Sequence, residues 1–523
     1  MSEFPTGWPF TFRWGDKLAD DYQFTTCDWL YGRRDIYTAN EKLTRENILT
    51  EVNYALGYHF RNVFEEQYLY WYRRGFQPIV NRKKERNEFV LNKVAVNHAQ
   101  EIVDFKNGYF LQEPAFYVSR KNGKKTKVDK LNEYLYRSGK QAADNILADW
   151  FHMVGKAALY VEPTDKKDIP LRAYALDPRS AFVVKSFKPG NRPVYGVNVV
   201  IADKDMFIDV YTEELVFRLK GSYLGLSTTN DDIGRPMYQT MANEVLAVEP
   251  NILRHIPIIE YRYNSVNMGA FEGVCSILDA INQIQSDRVD GVDQFIQSLA
   301  IAVNCEFPDE TTASDIRKAG MIALRSIGEN KADFKILSEE LNQDQTQTLT
   351  DNLYNDVLRI CAMPSASMHG RGTYDSTGQA AIFNNGWEQA AACARNTEDL
   401  FRESNRYFDE ILVDVLSRAG ILDIDLVDFE LNFVRNETAN VQSKAQAAQT
   451  MLAMGLHPEL ALKKSGLSND PVSDIKMSEK YLKMIWGDPD AAIKAEEQGN
   501  GQGEAKIVES DNFNGENETG GSV

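Results

Sequence analysis

The chain runs to 523 residues, 43% of them hydrophobic and 26% charged, proportions of a globular protein large enough for two or more domains, which excludes global disorder. Asp and Glu number 76 against 58 Lys and Arg, a net charge of -18, so the surface repels the phosphates of free nucleic acid and of acidic membranes alike and a tight DNA binder is excluded. The five cysteines, Cys27, Cys275, Cys305, Cys361 and Cys393, are odd in number, scattered and without a CxxC pair, which argues for a reducing compartment and against a disulfide framework or zinc site. No apolar run approaches the ~20 residues that span a bilayer, and residues 1–14 lack the basic start and apolar middle of a secretory signal, so the expected address is cytosolic.

Residues 1–45 are aromatic-rich but interrupted by Pro5, Gly7, Pro9 and Gly15, the pattern of an arm that packs on something larger. Thr44 as N-cap opens a predicted helix through Leu56, Phe60 and Phe64 to Trp71, stopped by Gly75 and Pro78. A second helix is predicted over 87–108, ending at Gly108. Around Asn122-Gly123, the run with Arg120, Lys121, Lys124, Lys125 and Lys127 predicts a basic-tipped hairpin between two short strands. A helix over 142–153 then leads into short Val-, Ile-, Tyr- and Phe-rich runs at 157–162, 172–175, 181–184, 194–201, 207–211 and 214–219, separated by Pro, Gly and Asp. That is the pattern of an antiparallel sheet, and the fold class is α+β.

Beyond 255–260 the period changes. Ile277, Ile281, Ile284, Arg288, Val292, Phe295 and Leu299 recur at steps of 3 and 4, one helix of about 25 residues with an apolar stripe. Its opposite face carries Asp279, Gln283, Ser286, Asp290, Asp293 and Gln297, with Asp287 beside it, which reads equally as a solvated surface or as a face with a special role. Residues 304–345 form a small mixed insert, with a short helix near 315–318 and strands near 321–324 and 334–337. A helix over 344–361 follows, closed by Pro364, and 365–378 is a polar, glycine-rich loop. The longest helix carries Ala380, Phe383, Trp387, Ala391, Ala394, Phe401, Phe408, Ile411 and Val415 as far as Gly420, with Gly386 inside it as a kink or a tolerated glycine. A strand at 428–434 and helices near 440–454, 458–465 and 474–486 precede a final stretch, 495–523, whose six glycines and seven acids against Lys506 alone predict disorder.

Catalytic motifs are missing. Gly123-Lys124 is followed by Lys125, Gly139-Lys140 by Gln141 and Gly155-Lys156 by Ala157, so no phosphate-binding Gly-Lys-[Ser/Thr] triplet exists, and GxSxG, GxGxxG and HExxH are absent as well. The six histidines are far apart in sequence, and only His369 stands in a polar loop, beside Arg371 and Asp375. Asp287 with Asp290, or Asp423 with Asp425, could hold Mg²⁺ in a metal-dependent phosphodiesterase or nuclease, although neither pair has a third ligand nearby in sequence. No catalytic residue, metal or cofactor is assigned, and the chain is read as a non-enzyme.

Three features resemble the portal proteins of tailed double-stranded DNA bacteriophages, in their siphophage-type branch. The first is 97–114, Asn97-His98-Ala99-Gln100-Glu101-Ile102-Val103-Asp104-Phe105-Lys106-Asn107-Gly108-Tyr109-Phe110-Leu111-Gln112-Glu113-Pro114. The second joins His255-Ile256-Pro257-Ile258-Ile259-Glu260 to Phe271-Glu272 and to Asp279-Ala280-Ile281-Asn282-Gln283-Ile284-Gln285-Ser286-Asp287-Arg288. The third is the order of segments over 45–487: helix, small mixed insert, helix, loop, very long helix, helical C-terminal region.

The resemblance implies a portal-like α+β fold with an N-terminal arm (1–45), a wing of helices and antiparallel strands (46–274), a first stem helix (275–303), a clip (304–343), a second stem helix (344–362), a tunnel loop (363–378), a long wing helix (379–420), a crown (421–487) and an acidic tail (488–523). It implies a homo-oligomeric ring of about twelve copies at one capsid vertex, assembled in the host cytoplasm and carried in the virion, with no membrane partner. Double-stranded DNA would pass through the ring without sequence specificity, and the terminase large subunit, the major capsid protein and a head-tail adaptor would dock on it. On that reading Ser365, Ser367, His369, Arg371, Thr373 and Tyr374 reach towards DNA from the tunnel loop, while Asp279, Gln283, Asp290 and Asp293 line the channel. The arm and the acidic tail are not features the family requires. A tail or baseplate component shares the oligomeric character and stands as an alternative.

Overall fold

The computed structural model describes residues 32–83, 91–120, 124–166, 168–202, 205–230, 236–296, 299–303, 305–306, 325–326, 333–337, 343–364, 386–434, 441–468 and 471–486. The chain divides into two units, Met1–Glu437 and Thr438–Val523. In chain order the first unit holds β1 (Ile36–Thr38), α1 (Ile48–Arg73), α2 (His98–Phe110), β2 (Phe116–Ser119), α3 (Lys125–Arg137), α4 (Lys140–Val154), β3 (Lys156–Lys166), β4 (Ile169–Leu176), β5 (Ala181–Ser186), β6 (Pro193–Ala202), β7 (Asp205–Tyr211), β8 (Leu215–Asn230), β9 (Pro236–Pro250) and β10 (Ile258–Arg262). It continues with α5 (Cys275–Ile296), β11 (Leu299–Val303), β12 (Cys305–Glu306), β13 (Arg325–Ser326), β14 (Asp333–Leu337), α6 (Gln343–Ile360), α7 (Trp387–Arg418) and β15 (Phe429–Asn432). The second unit holds α8 (Val441–Ala453), α9 (Pro458–Ser465) and α10 (Pro471–Trp486).

The largest sheet has the order β1-β5-β6-β7-β8-β9. Strands β5 to β9 form an antiparallel meander, and β1 lies parallel to β5 with Ile36 opposite Val184. Alternation decides which face is covered: in β7, Met206, Ile208 and Val210 are buried while Phe207 is exposed. The covering element is the first half of α1, whose Ile48, Val52, Ala55, Leu56, Phe60 and Val63 pack on those inward side chains. The second half of α1 belongs to another core, where Tyr68, Leu69 and Tyr72 meet α2, the start of α5 and the end of α6 through Val103, Leu278, Val357 and Leu358. A three-stranded sheet, β10-β3-β4, packs with α3, α4 and α7 in a third core around Phe151, Leu159, Phe401 and Phe408.

Most of the expected strands are present, although they divide between two sheets rather than one. Five expectations are corrected. The hairpin at 118–128 does not form: β2 pairs antiparallel with β15, Phe116 opposite Asn432, and α3 begins at Lys125. The helix expected over 87–108 starts only at His98, where the Asn97 side chain accepts from the Gln100 N–H, and it runs through Gly108 to Phe110. The helix expected over 275–303 ends at Ile296, and 299–303 is strand β11, paired with β14 from Leu299 opposite Leu337 to Val303 opposite Asp333. Gly386 does not interrupt the longest helix but caps its N-terminus with a left-handed φ of 79°. Helix α1 opens one turn later than the Thr44 cap implied, with the Thr44 carbonyl accepting from the Ile48 N–H at 3.0 Å. The short helix near 315–318, the strand near 321–324, Ala380, Phe383 and the acidic tail lie outside the described residues.

In the second unit, His457 caps α9 by accepting from the Glu459 N–H, Pro458 occupies its first turn, and Gly466 ends it at a left-handed φ of 66°. Strand β15 lies at 429–432, in the stretch expected to belong to a crown, and is part of the first unit.

The residues after the N-terminal stretch are held by a buried ion group. The side chains of Arg33, Glu65 and Glu272 are all 0% exposed, with Arg33 Nη2 3.1 Å from Glu65 Oε2 and 2.6 Å from Glu272 Oε1. Arg33 Nη1 also donates to the Val154 carbonyl at 3.1 Å, and Glu272 Oε2 accepts from the Gly269 N–H at 2.8 Å. Removing one partner of such a group leaves uncompensated charge in the interior, so Arg33→Met is expected to destabilise the protein by about 3–5 kcal/mol. Urea unfolding of wild type and variant checks this, and a loss below 1 kcal/mol would contradict a buried, charged group.

Candidate functional site

The site expected to carry function centres on α5, α6 and the stretch between α6 and α7. Helix α5 does not bury the stripe that its apolar period picked out. Cys275, Leu278, Ile281, Asn282, Ser286 and Asp290 are buried, whereas Val292 is 46% exposed and Ile277 and Ile284 are half-buried. The polar half of that buried face holds the extended segment that precedes α2. Asp290 Oδ1 accepts from the Asn92 N–H at 2.7 Å, Ser286 Oγ from the Val94 N–H at 3.0 Å, and Asn282 Oδ1 from the Val96 N–H at 2.7 Å.

The spacing has a geometric cause. Four residues of helix advance about 6 Å and two residues of extended chain about 6.6 Å, so acceptors at 290, 286 and 282 meet alternate N–H groups at 92, 94 and 96. The side chains of a helix thereby serve as the partner that a strand would otherwise need. The ladder is reinforced at both ends. Asn92 Nδ2 donates to Asp293 Oδ2 at 2.6 Å, Arg82 pairs with Asp290 at 3.0 Å and also with Asp287, and Asn282 donates to Gln77, whose own amide donates to Asn97 at 3.2 Å. Tyr72 donates to Asp279 at 2.9 Å, and burial pushes the Asp279 carboxyl up to about 6 in spite of that bond.

The four residues assigned to a channel lining therefore sit in different surroundings. Gln283 is exposed and donates to Asp287, itself exposed, at 3.0 Å. Asp279 and Asp293 are partly buried and accept from Tyr72 and Asn92. Asp290 is 2% exposed and faces Arg82 and Asn92. Helices α5 and α6 meet through Leu278, Ile281, Val357 and Leu358, and Arg288 donates across to Gln347 at 2.7 Å.

Ser365, Ser367, His369, Arg371, Thr373 and Tyr374 lie outside the described residues, but both ends of their segment are described. After α6 the chain turns through Ala362, a non-glycine residue at φ 50°, and the Met363 N–H donates to the Leu358 carbonyl at 2.8 Å. A Cβ built on Gly386 would lie 3.5 Å from the Met363 carbonyl oxygen and 3.7 Å from Pro364 Cα, so the segment 365–385 leaves and returns at one point. Around this neck, Lys106 Nζ donates to the Ala362 carbonyl at 3.4 Å, Gln389 donates to the Arg359 carbonyl at 3.4 Å, and the Trp387 ring packs 5.8 Å from that of Tyr109. Burial pushes the Cys361 thiol up to about 12. Sequence periodicity found the two helices; it missed the ladder, whose signal is Asn92, Asn97 and Asn282 among apolar neighbours.

Among the described residues, no group of three or more His, Cys, Asp or Glu could hold a metal ion. Asp287 and Asp290 face Arg82, and Asp428, next to the Asp423 and Asp425 pair, meets Lys124 at 3.1 Å. The described histidines are engaged locally: His59 with the Arg179 carbonyl, His98 with Glu101, His152 with Asn107, His255 with Asp414 and His457 as a helix cap. No helix among the described residues is long and apolar enough to cross a membrane.

The ladder yields a direct test. Asn282→Leu keeps the side-chain volume near its value but strands the Val96 N–H, and a loss of about 1–3 kcal/mol is expected in urea unfolding. Gln283→Ala, on the exposed side of the same helix, is expected to change stability by less than about 0.5 kcal/mol. Equal losses for the two would refute the ladder.

A search of curated proteins finds none that matches the sequence. A family model described as phage portal protein, SPP1 Gp6-like, matches residues 59–485, which takes in the later part of α1, the strands from β2 to β15, the α5–α6 pair, the neck and nearly all of the helices of the second unit. The match agrees with the resemblance carried by 97–114 and 255–288. With most of its length so covered, the chain belongs to the phage portal protein family of the SPP1 Gp6-like type, structural proteins of the bacteriophage virion that serve DNA packaging.

Proposed function

We propose that the protein forms a ring at one capsid vertex, with a central channel through which double-stranded DNA enters during packaging and leaves on ejection. The observation that carries the reading is the family match over 59–485, together with a paired-helix element, α5 and α6, whose far end closes into the neck of the 365–385 segment. Such a neck presents the segment from a fixed point: Lys106 bonds the Ala362 carbonyl, Gln389 bonds the Arg359 carbonyl at the end of α6, and the Trp387 ring at the start of α7 packs on Tyr109 of α2.

In this reading Ser365, Ser367, His369, Arg371, Thr373 and Tyr374 extend from the neck towards DNA, and the exposed side of α5, with Gln283 and Asp287 and the partly exposed Asp279 and Asp293, faces the channel. Asp290 supports that face from within by holding Arg82 and the 92–96 segment. The charge balance suits a conduit. A chain of net charge -18 repels phosphates, so DNA slides past instead of making the many Lys and Arg contacts that render binding tight and salt-dependent. The ring would hold about twelve copies, and its outer and lower surfaces would receive the major capsid protein, the terminase large subunit and a head-tail adaptor.

Native mass spectrometry of the purified full chain, joined to negative-stain imaging, tests assembly. Closed rings of about twelve subunits with a central channel are expected, and a monomer or dimer under every condition, including co-expression with the capsid protein, would overturn the reading. Arg371→Ala and His369→Ala are expected to impair DNA packaging while leaving ring formation intact. Normal packaging by both variants would refute the role given to the loop.

A further inference from the structure

The portal reading makes no use of a small cavity, lined by both polar and apolar side chains, in the joint between α1, the chain around β1 and the two sheets. Its volume is about 20 Å³, and its lining includes Arg34, His59, Asn62, Glu66, Lys156 and Glu260. Most polar atoms there have partners. Asn62 exchanges two hydrogen bonds of 2.9 Å with the Arg34 backbone, and Lys156 donates to Asp35 at 2.6 Å and to Glu260 at 3.2 Å. Two atoms do not: among the described residues, Glu66 Oε2 and His59 Nδ1 are buried without a hydrogen-bond partner. Glu66 is 2% and His59 5% exposed, so bulk solvent does not satisfy either.

The chemistry of the pair is complementary. His59 Nε2 lies 3.1 Å from the Arg179 carbonyl oxygen, which can only accept, so the ring proton is on Nε2 and Nδ1 presents a bare lone pair. Burial holds this imidazole neutral, its pKa lowered to about 3, and the ring stacks on Phe182 with centroids 4.0 Å apart. For Glu66, burial outweighs the attraction of Arg33, Lys156 and Arg179, to which Asp177 adds an opposing repulsion, and the carboxyl is raised to about 8. At neutral pH the cavity is therefore flanked by an O–H donor and a nitrogen acceptor. A space of this size holds one water molecule, and a water needs two or more polar partners to be stable there.

We propose that this cavity is a binding site for a single water molecule, which accepts a hydrogen bond from the neutral carboxyl of Glu66 and donates one to His59 Nδ1. The water completes the polar seam between α1 and the sheets, and the seam depends on the protonation of Glu66. The sign follows from linkage. A carboxyl raised in the folded protein contributes stability that is fully present below its unfolded value and is lost as pH rises through the folded one. Ionised Glu66 would face Asp177 and Glu260 as well as Arg33, Arg34, Lys156 and Arg179, with the neutral His59 unable to donate from Nδ1.

Two measurements on the full chain decide the matter. A density map that resolves ordered waters should show one peak within hydrogen-bond distance of both the Glu66 carboxyl and His59 Nδ1, absent in Glu66→Met. An empty cavity in the wild type, or a direct bond between Glu66 and His59, overturns the proposal. Glu66→Gln keeps a donor but cannot ionise, so the unfolding constant of the wild type relative to this variant should rise about tenfold per pH unit from about pH 5 to about pH 8 and then level off. Parallel pH profiles for the two proteins overturn the neutral donor on which the site rests, and this arm stands even if Glu66→Met does not fold.

Discussion

Arg33 ties together parts of the chain that no local signal relates. Its guanidinium reaches Glu65 in the middle of α1, Glu272 just before α5 and the carbonyl of Val154 at the end of α4. The interior cost of these charges is large, and burial pushes the Glu65 carboxyl up even with Arg33 and Arg34 beside it. What the group secures is registry. With Arg33 fixed, β1 is set beside β5, α1 is set along its axis, and the beginning of α5 is set against the second half of α1, so that one helix can serve the sheet core with its first turns and the α2–α5–α6 core with its last. Glycines complete the close approach: Gly155 turns the chain from α4 into β3 at φ 91°, where a Cβ would come within 2.1 Å of the Asn267 carbonyl oxygen.

From that fixed start, α5 runs on with its polar face already committed. A helix of this length needs lateral support, and apolar side chains supply it only where a second helix faces them. Helix α6 does so through Val357 and Leu358, and on the adjoining side the support is a backbone segment whose N–H groups require acceptors. The uncharged rungs, Asn282 and Ser286, are therefore buried as completely as the leucines. Asp290, the charged rung, is tolerated because Arg82 neutralises it.

This explains what was legible beforehand. The α+β class, the meander strands and the helices α6 and α7 follow from period and punctuation, since each is a local pattern. The burial direction of α5 was not legible, because counting apolar residues selects Ile277, Ile284 and Val292 and gives no weight to Asn282, Ser286 and Asp290, whose burial depends on the 92–96 segment. The same omission produced the helix expected over 87–108: Val94 and Ala95 fit a helical stripe with Ala99, Ile102 and Val103 only while the acceptors on α5 are unknown. The Asn122-Gly123 hairpin failed for a related reason. A short strand at 116–119 takes the partner that tertiary structure brings to it, here β15, and a turn dipeptide does not oblige the flanking residues to pair with each other. Charge burial in α1 was equally hidden, since Glu65-Glu66 has the appearance of an exposed helical surface until Arg33 and Arg34 arrive from elsewhere in the chain.

The neck also bears on the proposal that the 365–385 segment meets DNA. Under that proposal, DNA moving past the segment would exert lateral force on it, and the force would pass to the base of the segment. In this chain the base is a closed neck: Gly386, at a φ that favours glycine, abuts Met363 and Pro364, while Lys106 bonds the Ala362 carbonyl from α2 and α7 departs at once into the core around Phe401 and Phe408. Load on the loop would thus be shared between α6 and α7, and through Lys106 with α2, whose own start is fixed to α5 by Val96 and Asn282. The ladder and the neck are two ends of one brace.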